Sequence, residues 1–117
     1  MAILTKRVYD PPDPSDGFRL LVMRLWPRGI RKDLVSAWEK ELGPSRKLLD
    51  DFHVGIPWAE YRMRYHDEMR AKPDLIGLWA ERASRETITL LCGCKDESRC
   101  HRSLLREILG KKLEYRP

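Results

Sequence analysis

No stretch of this sequence is long and apolar enough to cross a membrane. No uninterrupted apolar run is longer than that of residues 20–23, whereas a membrane-spanning helix needs about 20 such residues. The N-terminus also lacks a basic start followed by an apolar stretch, which is the pattern of a secretory signal. We therefore expect a cytoplasmic protein without membrane contacts.

Cysteine is scarce, and its number excludes a disulfide framework in which every thiol is paired. The three cysteines are Cys92, Cys94 and Cys100. An odd number without a secretory signal favours a reducing compartment. All three lie within nine residues, which indicates reactive chemistry, metal binding or coincidence, and the spacing leaves these alternatives open.

Apolar residues are also fewer than usual, yet the chain has enough large side chains to fold. They make up 42% of the 117 residues, and charged residues make up 35%, against typical values of about 45–50% and about 25%. Four Trp, four Tyr and two Phe argue against disorder. The length fits a single domain over residues 1–117, and the formal net charge of +5 favours an anionic partner.

Hydrophobic patterning predicts three strands and five helices. The predicted strands cover residues 3–9, 18–26 and 87–92, and the predicted helices cover residues 36–42, 45–52, 58–70, 74–83 and 98–109. This order is typical of an α/β protein, so we expect a layered domain with a small mixed or mainly parallel sheet flanked by helices. The first two strands are joined by eight residues without a helix, which favours an antiparallel pair. No pattern indicates an oligomeric state.

The strongest chemical signal is the turn between the last strand and the last helix, residues 92–102. A thiol at a helix start beside basic side chains has a lowered pKa, and a neighbouring histidine accepts its proton. The candidate catalytic residues are therefore Cys92, Cys100 and His101. The alternative is that Cys100 is a small, packed apolar residue.

Basic residues in the same turn suggest an anion-binding site. Arg99, His101 and Arg102 all fall in the first turn of the last helix, where bases oppose the helix dipole unless an anion is bound. If the second and third strands are parallel, one pocket for phosphate or carboxylate is lined by Arg24, Arg28, Lys95 and Arg102. The alternatives are a surface cluster neutralised by neighbouring acids and a solvated basic loop.

Two other kinds of site compete with this interpretation. A zinc or redox site would use the three cysteines and His101, but one close Cys-x-Cys pair with an adjoining Cys-His leaves little freedom to form a tetrahedron. We therefore expect no metal and no cofactor. The other is a nucleic-acid interface on residues 19–32, which contain five bases and no acid. Our leading prediction is an enzyme or binding protein for a phosphorylated or otherwise anionic small molecule.

Several motifs resemble the YeaO-like family, also called domain of unknown function 488. The match is carried by residues 6–10 (KRVYD), 16–19 (DGFR) and 24–29 (RLWPRG), and it continues through Pro44-Ser45, Phe52-His53, Trp58 and residues 89–91. It covers nearly the whole chain, and the LWPRG run is quite specific. The resemblance implies a bacterial, cytoplasmic, compact α/β domain, but it specifies no activity.

The sequence departs from the family pattern at two places. Met23 stands where the family usually has Asp before the RLWPRG run, so any chemistry that depends on that carboxylate is missing. YeaO-like members also tend to lack the cysteines found at positions 92 and 100. A cysteine nucleophile is therefore not implied by the resemblance and depends on the local residues alone.

Overall fold

A computed structural model of the chain describes residues 2–114. These residues form four strands, β1 (Ile3–Arg7), β2 (Phe18–Leu21), β3 (Ala37–Trp38) and β4 (Ile88–Cys92). They also form four α-helices, α1 (Arg46–His53), α2 (Trp58–Arg70), α3 (Pro73–Arg85) and α4 (His101–Glu114). The result is an α/β domain, and no helix within the described range is long and apolar enough to span a bilayer.

The sheet is parallel throughout, in the order β1-β4-β2-β3. Every residue of the central strand β4 is buried, which agrees with its nearly continuous apolar sequence because parallel strands are covered on both faces. The expected antiparallel pairing of the first two strands is wrong, since β4 lies between them and all three run in one direction. Their carboxyl ends consequently meet at one edge of the sheet.

The two faces of the sheet are covered differently. Leu20, Ile88 and Leu90 belong to the larger core, in which all four helices take part. Leu21 and Leu91 belong to the smaller core, which is closed by side chains of residues 23–35. A helical layer therefore covers one face, and an irregular segment covers the other.

Three predicted element boundaries or types are wrong. Residues 36–42 form no α-helix, because the amides of Ser36 and Glu39 donate to β2 carbonyls at 2.8 and 2.9 Å and hold β3 against the sheet. Strand β2 ends at Leu21 instead of residue 26. The last helix begins at His101 after a short 3-10 turn and continues through Gly110 to Glu114, because Gly110 keeps a helical conformation without a positive φ.

The other helices confirm the predicted positions. Ser45 caps α1 by accepting a hydrogen bond from the amide of Leu48, and α2 has the predicted bounds. Pro73 opens α3, where its missing N–H costs no hydrogen bond.

An ion-pair group surrounds Asp16, which lies two residues before the start of β2. Asp16 is 5% exposed and pairs with Lys6 at 3.1 Å and Arg19 at 2.5 Å. Burial raises the pKa of Asp16, but hydrogen bonds from the Asp13 amide, Lys6 and Arg19 outweigh it and leave the pKa below its usual value. The carbonyl of Asp16 also accepts a 2.7 Å hydrogen bond from Thr89 in β4.

Gly17 enters β2 in a conformation that requires glycine. Its φ is 63°, and an added Cβ would collide with the carbonyl oxygen of Thr87. Gly17→Ala should therefore lower the free energy of unfolding by about 1–3 kcal/mol in equilibrium urea denaturation. Gly77→Ala is the matched control: it lies in α3 with open space around it and should stabilise by about 0.5–1 kcal/mol. Equal stability of Gly17→Ala and the unmodified protein would contradict this account.

Candidate functional site

A cavity of about 410 Å³ lies at the carboxyl edge of the sheet. Its position follows from the topology, because ligands of parallel α/β sheets bind where the strand ends meet. The segments after β1, β2 and β4 contribute Tyr9, Met23 and Cys94, and α1 and α2 contribute Phe52 and Tyr61. Most of the wall is therefore apolar or aromatic.

Cys92 and Cys94 line this cavity, Cys100 lies beside them, and we call these three residues the thiol cluster. Their sulfur atoms all lie within 4.8 Å of one another, and Cys92 Sγ is 3.6 Å from Cys94 Sγ. Cys92 and Cys100 are buried, whereas Cys94 is partly exposed. The cluster forms because β4 ends at Cys92 and the chain returns through a 3-10 turn, Glu97–Arg99, to the start of α4.

His101 links this cluster to the sheet. Its Nε2 is 2.5 Å from the carbonyl oxygen of Val22, and since a carbonyl only accepts, we assign the proton to Nε2. The other ring nitrogen, Nδ1, then carries a lone pair and lies 3.9 Å from Cys92 Sγ and 4.0 Å from Cys100 Sγ. Burial lowers the pKa of His101, although the Val22 carbonyl opposes this. The ring is therefore neutral at pH 7 and presents a base to two thiols.

The negative charge of the cluster is favoured on Cys92. Hydrogen bonds from Cys100 and Cys94 hold the pKa of Cys92 well below its usual value despite its burial. The pKa of Cys100 is raised, first because it donates to Cys92. The pKa of Cys94 is also raised: its contact with Cys100 lowers it, but donation to Cys92 and burial outweigh that effect. Cys92 is thus the sulfur best suited to be a thiolate.

Tyr61 faces the same charge from α2. Burial, followed by electrostatic repulsion within the thiol cluster, raises its pKa, so the phenol keeps its proton at neutral pH. The sequence pattern of α2 indicated a core position for Tyr61, and the side chain is indeed 2% exposed. It is also part of the cavity wall, which helical periodicity alone does not reveal.

Arg102 stabilises the turn between β4 and α4 through hydrogen bonds to backbone carbonyls. It is 3% exposed, and its Nη1 donates to the carbonyl of Cys94 at 3.0 Å and reaches that of Cys92 at 3.5 Å. Its Nε is buried and has no hydrogen-bond partner among residues 2–114. Arg102 therefore lies beside the candidate catalytic residues but is not part of the cavity wall.

The other predicted anion-binding residues do not meet at one point. Arg24 lines the cavity, but it pairs with Glu41 at 2.7 Å and donates to the Pro44 carbonyl at 2.9 Å. Arg28 and Lys95 are exposed and lie outside the wall. Sequence reasoning missed Arg99 as a wall residue, although its place in a base-rich turn was a usable signal.

The basic segment 19–32 is not a continuous cationic surface. Arg19 is buried against Asp16, Arg24 pairs with Glu41, and Arg31 pairs with Asp33 at 3.2 Å. Three of the five bases are therefore held in ion pairs in the folded chain, whereas Arg28 and Lys32 are exposed. This arrangement gives no specific support to a nucleic-acid interface.

Comparisons with known proteins agree with one another. Residues 3–113 match a family model described as the active DUF488-N3 subclade. The chain is 40% identical over 112 residues to an uncharacterized protein, YeaO, of Escherichia coli K12, covering 93% of this chain and 97% of that protein. It is 35% identical over 107 residues to an uncharacterized protein of Mycobacterium tuberculosis H37Rv, covering 89% and 90%. No solved structure matches the chain.

Proposed function

The chain belongs to the DUF488 family, as its motifs predicted, and we propose that it is a cysteine-dependent enzyme acting on small anionic molecules that also carry an apolar group. One observation carries the proposal: Cys92 and the unprotonated Nδ1 of His101 lie 3.9 Å apart at the floor of a cavity. A thiol and a positioned base at the end of a central strand are the parts that nucleophilic catalysis needs. The description of the matching subclade as active is consistent with this.

In the proposed reaction, Cys92 attacks an electrophilic carbon or phosphorus of the substrate. Nδ1 of His101 accepts the thiol proton, and the sulfur forms the new bond. The leaving group departs with its bonding electron pair and takes the proton back from His101. Water then cleaves the bond to sulfur and regenerates the thiol.

The substrate class follows from the cavity wall. Arg24 and Arg99 line it, and no aspartate or glutamate of residues 2–114 does so. Tyr9, Phe52 and Tyr61 supply aromatic surface. A molecule with one anionic end and one apolar or aromatic end matches both properties. Arg99 is the better candidate for the anion, since none of the ion pairs among the described residues involves it, whereas Arg24 is already paired with Glu41.

Limited alkylation tests the nucleophile. With substoichiometric iodoacetamide on the chelator-treated protein, peptide mass spectrometry should find the label first on Cys92. If solvent accessibility alone determined the labelling rate, Cys94 would be labelled first, because it is the more accessible sulfur. In Cys94→Ser, Cys92 should still be labelled ahead of Cys100. Labelling that begins at Cys94 would overturn the proposed role of Cys92.

The anion preference has its own test. Iodoacetate and iodoacetamide differ mainly in charge, so the ratio of their reaction rates at Cys92 reports the field in the cavity. Arg99→Gln should lower this ratio several-fold and leave the iodoacetamide rate nearly unchanged. Arg106→Gln, an exposed change on α4 outside the cavity wall, is the matched control and should have little effect. A ratio that does not depend on Arg99 would contradict its role.

A further inference from the structure

We propose that the thiol cluster and Nδ1 of His101 form a binding site for one zinc ion, and that zinc controls access to the nucleophile. The binding site itself is argued from the positions of the four donor atoms. Its consequence for reactivity rests on the function proposed above.

The three sulfur atoms lie within 4.8 Å of one another, and Nδ1 of His101 approaches two of them, those of Cys92 and Cys100. With Zn–S bonds of about 2.3 Å and a Zn–N bond of about 2.0 Å, sulfur atoms around zinc are about 3.8 Å apart and about 3.5 Å from the nitrogen. Cys92 Sγ and Cys94 Sγ are 3.6 Å apart, and Nδ1 is 3.9 and 4.0 Å from Cys92 and Cys100. To complete the set around one ion, the partly exposed Cys94 side chain would move towards Nδ1.

The spacing of these residues had argued against such a site, and the fold explains why that argument is too strict. Two ligands come from the end of β4, and the other two come from the start of α4. The 3-10 turn between them, Glu97–Arg99, reverses the chain, and Ser103 ties the two sides by donating from its hydroxyl to the Glu97 carbonyl at 2.7 Å. A short loop therefore supplies both halves of the ligand set.

The hydrogen bond of His101 to Val22 is the arrangement expected of a metal ligand. Histidines that bind zinc through one nitrogen usually donate the other N–H to a carbonyl or carboxylate, which fixes the tautomer and the ring orientation. Here Nε2 is held by the Val22 carbonyl, and Nδ1 is left free to face the thiols. Tyr65 also restricts the ring, with a centroid distance of 5.7 Å.

Charge around the cluster is suited to a thiolate-rich site. Three thiolates and one Zn²⁺ leave a net charge of −1, and Arg102 contacts the carbonyls of two ligands, Cys92 and Cys94. Thiolate and imidazole donors in a tetrahedral arrangement favour Zn²⁺ over the oxygen-preferring Mg²⁺ and Ca²⁺. We therefore assign the site to zinc.

Zinc binding changes no oxidation state. The ion accepts a lone pair from each sulfur and from Nδ1, and the thiol protons are released to solvent. Because the bound ion occupies the lone pair of Cys92 and that of its base together, the zinc-loaded protein cannot use either. The metal-free protein is then the reactive form.

Metal titration of the chelator-treated full chain tests the site. Co²⁺ should bind one equivalent with the visible absorption of a tetrahedral ion and a sulfur-to-cobalt charge-transfer band, and Zn²⁺ should displace it. Cys94→Ser and His101→Gln should each weaken Zn²⁺ binding by at least about 10–100-fold. His53→Gln is the matched control, since His53 lines the cavity but lies outside the ligand set, and its affinity should be unchanged.

Alkylation of Cys92 with and without one equivalent of Zn²⁺ completes the test. Zinc should slow labelling by at least about tenfold in the unmodified chain and far less in Cys94→Ser, and a chelator should restore the rate. Absence of a tetrahedral cobalt spectrum, or identical affinity in Cys94→Ser, would overturn the site. Zinc binding without protection would overturn control of the nucleophile. If the metal-free protein is not labelled first at Cys92, the proposed enzyme fails while the zinc site stands.

Discussion

Replacing Asp16 with asparagine should lower the free energy of unfolding by about 3–5 kcal/mol. The carboxylate is 5% exposed and lies between Lys6 and Arg19. The substitution keeps the shape of the side chain but leaves two cations beside a neutral group. Arg19 is itself 8% exposed. Its Nε donates to the Leu34 carbonyl at 2.8 Å, but its Nη2 has no hydrogen-bond partner within residues 2–114, and a neutral carbonyl does not replace the charge of the lost carboxylate.

Two further variants distinguish the cost of leaving a buried charge unpaired from the cost of losing an ion pair at the surface. Asp33→Asn removes an exposed carboxylate from its pair with Arg31, and it should cost no more than about 1 kcal/mol. The double variant Asp16→Asn/Arg19→Met removes the unpaired charge and should recover part of the loss. Denaturant unfolding measures all three. A cost below about 1 kcal/mol for Asp16→Asn would show that the ion-pair group contributes little to the fold.

The same carboxylate makes stability depend on acidity. Its pKa is lower in the folded protein than in the unfolded chain, so its contribution is fully present above the unfolded value of about 3.9. The contribution is lost as the pH falls through the folded pKa. The difference in stability between the unmodified protein and Asp16→Asn should therefore shrink below about pH 4, and a difference that stays constant in acid would contradict the lowered pKa.

Replacing Cys100 with alanine should slow alkylation of Cys92 by about tenfold at pH values below the pKa of Cys92. Cys100 is the first of the groups that lower the pKa of Cys92, and a hydrogen bond to a charged acceptor is worth about 1.5–3 kcal/mol. A shift of one pKa unit corresponds to about 1.4 kcal/mol. The pH at which the labelling rate is half its maximum should lie below about 8.5 in the unmodified protein and about one unit higher in Cys100→Ala.

Cys100→Ser is the matched control for that measurement. Its hydroxyl still donates to Cys92, so most of the effect should be absent, while any packing defect common to both changes remains. The experiment uses metal-free protein and counts only label on Cys92. If Cys100→Ala titrates like the unmodified chain, Cys100 does not stabilise the Cys92 thiolate.

Long, regular elements were predictable from sequence, and short or long-range ones were not. The periodicity of α2 and the proline at the start of α3 are local signals, and both helices lie where they were expected. Strand β3 has two residues and is held by hydrogen bonds to β2, so no local pattern marks it. The parallel order β1-β4-β2-β3 likewise depends on pairing between distant segments, which an eight-residue connection does not determine.

The candidate site was predictable in its centre and not in its surroundings. Cys92, Cys100 and His101 are close in sequence, and the structure brings their functional atoms together. The partner of His101 is the carbonyl of Val22, which lies directly after β2, and its side chain carries no signature of such a role. Whether a basic residue is free to bind an anion also depends on carboxylates that are distant in sequence, as the ion pair of Arg24 with Glu41 shows.

The position of β4 has a consequence for how the chain folds as it is synthesised. The strand that joins β1 to β2 is encoded near the end of the sequence. Strand β1 therefore has no partner in the sheet until residues 88–92 have emerged, and such distant pairing is slow to form. The thiols stand directly at the end of this last strand, so the reactive site is assembled by the same late event that completes the sheet.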